Sequence, residues 1–191
     1  MSEITLKKGD DITLKKEDMS PVKNLIAGIG WDSKDDKDVD VDLWIVPKEV
    51  TNAKKDILFF QSEQENSDGK KMIPGMVHSG DDLTGNVSED GCDEMVHIKG
   101  EELDQKEYLV VANVYSGDVF GTIERCFAEM IDQDTQKSLA KFDMSGEGGD
   151  NKTLVVGKIT VGDDKALSFK AIGDYSKLTC DNIVNNPSEL F

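Results

Sequence analysis

The sequence predicts an all-β fold, an antiparallel β-sandwich with long acidic loops and little helix, and three observations lead there. Apolar and polar residues alternate over many short segments, clusters of Gly, Asp and Asn separate those segments, and no long stretch holds a helical period. Many short strands joined by polar turns bury their apolar faces by packing as two antiparallel sheets.

The elements follow in chain order. Ile4-Thr5-Leu6-Lys7-Lys8 recurs as Ile12-Thr13-Leu14-Lys15-Lys16, with Gly9-Asp10 between the copies. Alternation in both copies and turn chemistry between them predict a β-hairpin; the repeat covers too little chain for a solenoid. Further strands are expected over 25–31, 40–46, 57–60, 95–98, 108–115, 126–131, 139–142, 154–161 and 166–172. Asp132-Gln133-Asp134-Thr135 and Gly162-Asp163-Asp164-Lys165 read as hairpin turns, and 120–124 holds at most a helical turn. Residues 61–71 read as a surface loop, because strands continue on both sides, and 146–151 as a second polar loop. The 191 residues are expected to form a single domain, 1–191, with 181–191 a frayed tail.

Charge narrows the function classes. The net charge is −17, from 39 Asp+Glu against 22 Lys+Arg. A field of that sign repels phosphate backbones and anionic membrane surfaces, so nucleic acid is not an expected partner and cations are. No segment has the length and apolarity of a signal peptide or a membrane span, so the reading is a cytoplasmic protein without membrane insertion. Cys92, Cys126 and Cys180 are odd in number and far apart, which argues against a disulfide framework or a zinc site and for reduced thiols.

Two acidic constellations carry the chemistry. In the first, Asp36, Asp38, Asp40 and Asp42 fall at every second position, so an extended segment places them on one side and Val39, Val41, Leu43 and Ile45 on the other. Like charges so placed repel, and a hard cation turns that repulsion into binding. The second runs from Gly80 to Glu94 and offers Asp81, Asp82, Glu89, Asp90, Asp93 and Glu94 with hydroxyls, an amide and glycines. Calcium takes six to eight oxygens, backbone carbonyls often among them, and a glycine-punctuated acidic loop presents both kinds. The EF-hand template fails, because Leu43 stands where its glycine is required. Composition alone favours solvated loops for both runs.

An ordered set of motifs alters that balance. Gly28-Ile29-Gly30-Trp31-Asp32, Asp40-Val41-Asp42, His78-Ser79-Gly80-Asp81-Asp82-Leu83-Thr84-Gly85 and Asp90-Gly91-Cys92-Asp93-Glu94 together resemble the TerD family of tellurium-resistance proteins. Leu6-Lys7-Lys8-Gly9 and Phe169-Lys170-Ala171-Ile172-Gly173 extend the resemblance over nearly the whole chain. The resemblance implies a calcium-binding β-sandwich of bacterial stress operons, with two calcium ions held by Asp32, Asp40, Asp42, Asp81, Asp82, Asp90, Asp93 and Glu94. Two features depart from the family pattern: the stretch 86–89 is longer than the usual acidic-glycine loop, and Cys92 stands where an acid is expected.

Enzyme readings find little support. The sequence holds no nucleophile elbow and no P-loop, and Gly28-Ile29-Gly30 lacks the third glycine of a dinucleotide fingerprint. Cys92 sits among acids, which disfavours its thiolate. His78 is expected to order a loop entry, His97 to lie at a strand rim, and Trp31 and Trp44 to pack in the core. The expected function is a non-catalytic, calcium-binding interaction module whose partners are calcium and other proteins of the same stress system. The alternative is a metal-dependent hydrolase that uses the acids to hold a catalytic cation.

Overall fold

A computed structural model describes residues 4–33, 39–85, 91–115 and 119–191. Asp36, Asp38 and Asp90 lie outside the described residues. The described strands are β1 (Ile4–Leu6), β2 (Asp11–Thr13), β3 (Asn24–Ser33), β4 (Val41–Pro47), β5 (Met72–Ile73), β6 (Met76–His78), β7 (Glu94–Lys99), β8 (Glu107–Val114), β9 (Ile123–Asp132), β10 (Lys137–Asp143), β11 (Thr153–Val161) and β12 (Leu167–Ser176). They form two sheets, β1-β10-β9-β3-β7-β6-β5 and β2-β12-β11-β8-β4. Neighbours are antiparallel except β1 and β10, which run parallel.

The inner faces close on one core. Leu25, Ala27, Ile29 and Trp31 of β3 meet Val41, Leu43 and Ile45 of β4 and Val110, Ala112 and Val114 of β8. These are the alternate positions that a two-residue period sends to one face. The outer face of the five-stranded sheet is covered too. Trp44, Val46, Leu109, Val111 and Val155 form a second core with Ile57, Phe59, Ile183 and Leu190, and Trp44 stacks on Phe59 with ring centroids 4.3 Å apart. That double cover is why every residue of β4 is buried. Among the described residues no helix is long and apolar enough to cross a membrane.

Three expectations are corrected. The tandem repeat is not a hairpin. Its turn forms, with Gly9 at φ +91° and the Asp10 N–H donating to the Lys7 carbonyl at 3.0 Å, but the strands diverge. β1 pairs with β10 in one sheet and β2 with β12 in the other, so Leu6 and Leu14 enter the core from opposite layers. Residues 57–60 are not a strand. Ile57 follows the helix α1 (Ala53–Asp56), Leu58 makes one bridge with Ile45, and the Ser62 hydroxyl accepts the Phe59 N–H at 2.8 Å to turn the chain. A four-residue apolar run carries no period that separates strand from packed turn. The segment 181–191 does not fray. The helix α2 (Cys180–Asn185) is capped by Thr179, Ile183 is fully buried, and Leu190 closes the second core.

The glycines of β3 have a packing reason. A Cβ on Gly28 would meet the Cys92 sulfur at 2.5 Å, and one on Gly30 would meet the Phe127 ring at 2.5 Å and the Gly91 carbonyl at 2.6 Å. The acidic segment therefore returns across the sheet directly over these two positions, as a close approach requires.

Candidate metal centre

Trp31 sets the base of both acidic segments. Its indole N–H donates to the Val39 carbonyl at 2.8 Å, and a Cβ on Gly85, at φ +67°, would lie 2.4 Å from that nitrogen. Its backbone N–H donates to Asp93 Oδ2 at 2.9 Å. One buried indole thus holds the approach to Asp40 on one side and the turn after Asp82 on the other.

Asp40 and Asp42, at the start of β4, meet Asp81 from the following segment. Each offers an oxygen within 4.8 Å of the other two. Asp42 is buried, Asp40 half-buried and Asp81 exposed, so the group opens to solvent on one side. Burial pushes the Asp42 carboxyl up to about 9, with Glu94, Asp40 and Asp81 adding repulsion. Burial likewise lifts Asp40 to about 6, with Asp81, Glu94 and Asp82 contributing. Among the described residues, Asp40 Oδ1, Asp42 Oδ2 and Asp82 Oδ2 are buried oxygens with no hydrogen-bond partner. Buried carboxylate oxygens without donors are costly, and a cation relieves them.

The other nominated acids have separate duties. Asp82 Oδ1 accepts the N–H groups of Thr84 at 2.9 Å and Gly85 at 3.2 Å, which shapes the turn and leaves Oδ2 over. Glu94 is fully buried; Oε2 accepts the Leu43 N–H at 2.7 Å and Oε1 the Asp82 N–H at 3.0 Å. His78 completes this brace. Its Nδ1 accepts the Gly80 N–H at 3.1 Å, so Nε2 bears the proton and faces the Leu43 carbonyl at 3.2 Å and Glu94 Oε2 at 3.4 Å. Asp32 is not in this group and pairs instead with Arg125, which grips both its oxygens and is the single arginine of the chain.

Sequence reasoning missed Asn113. It is fully buried on β8 and is the cross-strand partner of Asp42. Its Nδ2 donates to Thr153 Oγ1 at 2.7 Å and to the Lys152 carbonyl at 3.2 Å, while Oδ1 has no partner among the described residues. No local signal marks it, because only sheet register brings it beside an acid 71 positions earlier in the chain.

The donor set is carboxylate oxygen, with no imidazole or thiolate in the group, which suits a hard cation and fits calcium. Asp40, Asp42 and Asp81 are the residues that would hold it, with Asp82 Oδ2 beside them. All three thiols are pushed above the usual cysteine range. Burial and Glu129 push Cys92 up to about 12, burial and Asp143 push Cys126 to about 12, and burial with Asp42 pushes Cys180 to about 11.

Comparisons with known proteins converge on one family. A TerD domain model matches residues 1–186. The chain is 25% identical over 181 residues to a tellurium resistance protein TerD from an Alcaligenes species, covering 89% of each chain. It is 22% identical over 190 residues to the stress response protein SCP2 of Bacillus subtilis, covering 90% of this chain and 92% of that one. The fold superposes on a crystal structure of a homologue of telluride resistance protein (TerD) from Streptomyces coelicolor, with a TM-score of 0.62, 13% identity, and 85% and 95% of the two chains covered. With the family model spanning almost its whole length, the chain belongs to the TerD family.

Proposed function

We propose that this protein is a calcium-binding, non-catalytic interaction module acting in the cytoplasm within a bacterial tellurite and stress response. The observation that carries the calcium reading is the set of buried carboxylate oxygens without donors on Asp40, Asp42 and Asp82. Calcium accepts irregular oxygen geometry and fills remaining positions with water or carbonyls, whereas magnesium demands a near-octahedral shell and dehydrates reluctantly. The cation would tie the start of β4 to the segment bearing Asp81, two parts of the chain that otherwise repel each other. A surface ordered in this way suits recruitment of partner proteins, and the names of two relatives, a tellurium resistance protein and a stress response protein, support that setting.

Calorimetric titration of the chelator-treated protein with calcium, followed by the same titration with equimolar magnesium present, tests the reading. Saturable calcium binding that magnesium does not displace is expected. No binding heat, together with a melting temperature unmoved by calcium, overturns it.

A further inference from the structure

We infer that Asn113 supplies an amide oxygen to the cation held by Asp40, Asp42 and Asp81. The inference rests on the reading of that group as a cation site and adds a ligand from the opposite strand.

Sheet register provides the placement. Asp42 on β4, Asn113 on β8, Thr153 on β11 and Ser176 on β12 are successive cross-strand partners, forming one lateral row. Directly opposed side chains in an antiparallel pair have Cβ atoms roughly 5 Å apart. Asn113 therefore has Asp42 on one side and Thr153 on the other.

Hydrogen bonding determines which way the amide faces. Thr153 Oγ1 donates its only proton to the Leu178 carbonyl at 2.6 Å, so toward Asn113 it can only accept. The group that reaches it at 2.7 Å is therefore the Asn113 NH2, which also faces the carbonyls of Lys152 at 3.2 Å and Leu178 at 3.5 Å. A flipped amide would set its oxygen against these acceptors. With Nδ2 committed to the β11 side, Oδ1 is left for the β4 side, where Asp42 stands.

Asn113 Oδ1 and Asp42 Oδ2 are both buried acceptors without donors among the described residues, as are Asp40 Oδ1 and Asp82 Oδ2. The Asp42 carboxyl and the Asn113 amide oxygen share one face of the sheet as cross-strand partners, and a cation between them would make both contacts attractive. Amide oxygens are ordinary calcium ligands, and three carboxylates alone leave a shell of six to eight short of donors. The same side chain holds the entry to α2 through Leu178 and Thr153, so a cation bound by Asn113 also steadies the start of the C-terminal helix.

The test uses the full chain as wild type and three variants, Asn113→Leu, Asn113→Asp and Thr179→Ala. Calcium affinity is measured by calorimetry, and water molecules on bound europium are counted from luminescence lifetimes in light and heavy water. Asn113→Leu should lower calcium affinity about tenfold and add one water to the ion, Asn113→Asp should bind at least as tightly as wild type, and Thr179→Ala, which removes the cap of α2 and leaves the Asn113 contacts in place, should shift affinity less than about threefold. Wild-type affinity and an unchanged water count in Asn113→Leu overturn the assignment and leave the acidic site standing. Equal losses in Asn113→Leu and Thr179→Ala also overturn it, since the effect is then structural. If Asn113→Leu does not fold, an affinity for Asn113→Asp well below wild type overturns it by itself. Absence of calcium binding in the wild type removes the underlying reading and this assignment with it.

Discussion

The buried carboxylate of Glu94 accepts the backbone N–H of Leu43 at 2.7 Å, which pins β7 to the strand that carries Asp42. Its second oxygen takes the N–H of Asp82 at 3.0 Å, so one side chain sets the distance between both halves of the acidic centre. Burial pushes the Asp40 and Asp42 carboxyls up, and Glu94 adds to the shift of each.

Glu94→Gln preserves the shape and removes the charge. Whichever way the amide turns, its NH2 faces a backbone N–H, and one donor is left unpaired. The expected outcome is a loss of about 1–3 kcal/mol of stability, read by urea denaturation in chelator. A variant as stable as wild type would show that Glu94 is not the brace between β4 and the Asp82 turn.

Asp42→Asn should act in the opposite sense on the metal-free protein. It removes a buried carboxyl that burial and neighbouring acids already strain, so the melting temperature in chelator should rise slightly. Calcium affinity should fall about tenfold or more, because an amide keeps one oxygen and loses the charge. Asp163→Asn, on an exposed turn paired with Lys106, is the control and should leave calcium binding unchanged. Equal weakening by both variants would locate calcium somewhere other than the triad.

Asp32→Asn separates an ion pair from a ligand. Asp32 is half-exposed and engaged with Arg125, and surface pairs contribute only about 0–1 kcal/mol. Calcium affinity should change less than about threefold, with a small drop in melting temperature. A loss of affinity as large as that of Asp42→Asn would return Asp32 to the ligand set.

The contribution of Asp40 and Asp42 to the stability of the metal-free protein should decline as pH rises from about 4 to about 9, seen as the difference between wild type and Asp42→Asn. An unfolded Asp titrates near 3.9, whereas Asp40 is pushed up to about 6 and Asp42 to about 9. The native state therefore holds more protons across this window, and stability falls with pH where that is so. Calcium displaces the same protons, so its affinity should climb over that range. Urea midpoints in chelator at several pH values, with proton release measured on adding calcium, check both signs. A wild-type midpoint that rises steadily with pH relative to that of Asp42→Asn would sink the argument.

Ile183→Ala probes the C-terminal segment. The side chain is fully buried in the second core, and such truncations cost about 2–5 kcal/mol. Loss of amide protection over 178–190 in hydrogen exchange should accompany it. Unchanged stability would mean that α2 only rests on the sheet.

The sequence by itself determined the longer strands, because the apolar–polar period is local and survives any arrangement of partners; the short β5 and β6 and the packed turn at 57–60 carry too few residues to show one. Val41, Leu43 and Ile45 face the core for that reason, and the acids between them fall on the other side. Asp40, Asp42 and Asp81 were likewise legible, as close-set acids in segments with a family likeness. Tertiary structure decided which acid meets what. Periodicity specifies the face of a strand but not its neighbour, so the two copies of the opening repeat went to different sheets. The same lack of information hid the covering of the outer face by α2, since a short, largely polar tail with a few apolar residues gives no sign of the surface that will receive it. It also hid Arg125 opposite Asp32 and Asn113 opposite Asp42, because pairing depends on sheet order and register, which many distant contacts settle together. Glu94 reads as one more acid in an acidic loop. It becomes a brace only when β4 and the Asp82 turn bring two backbone N–H groups to a side chain that burial has removed from water.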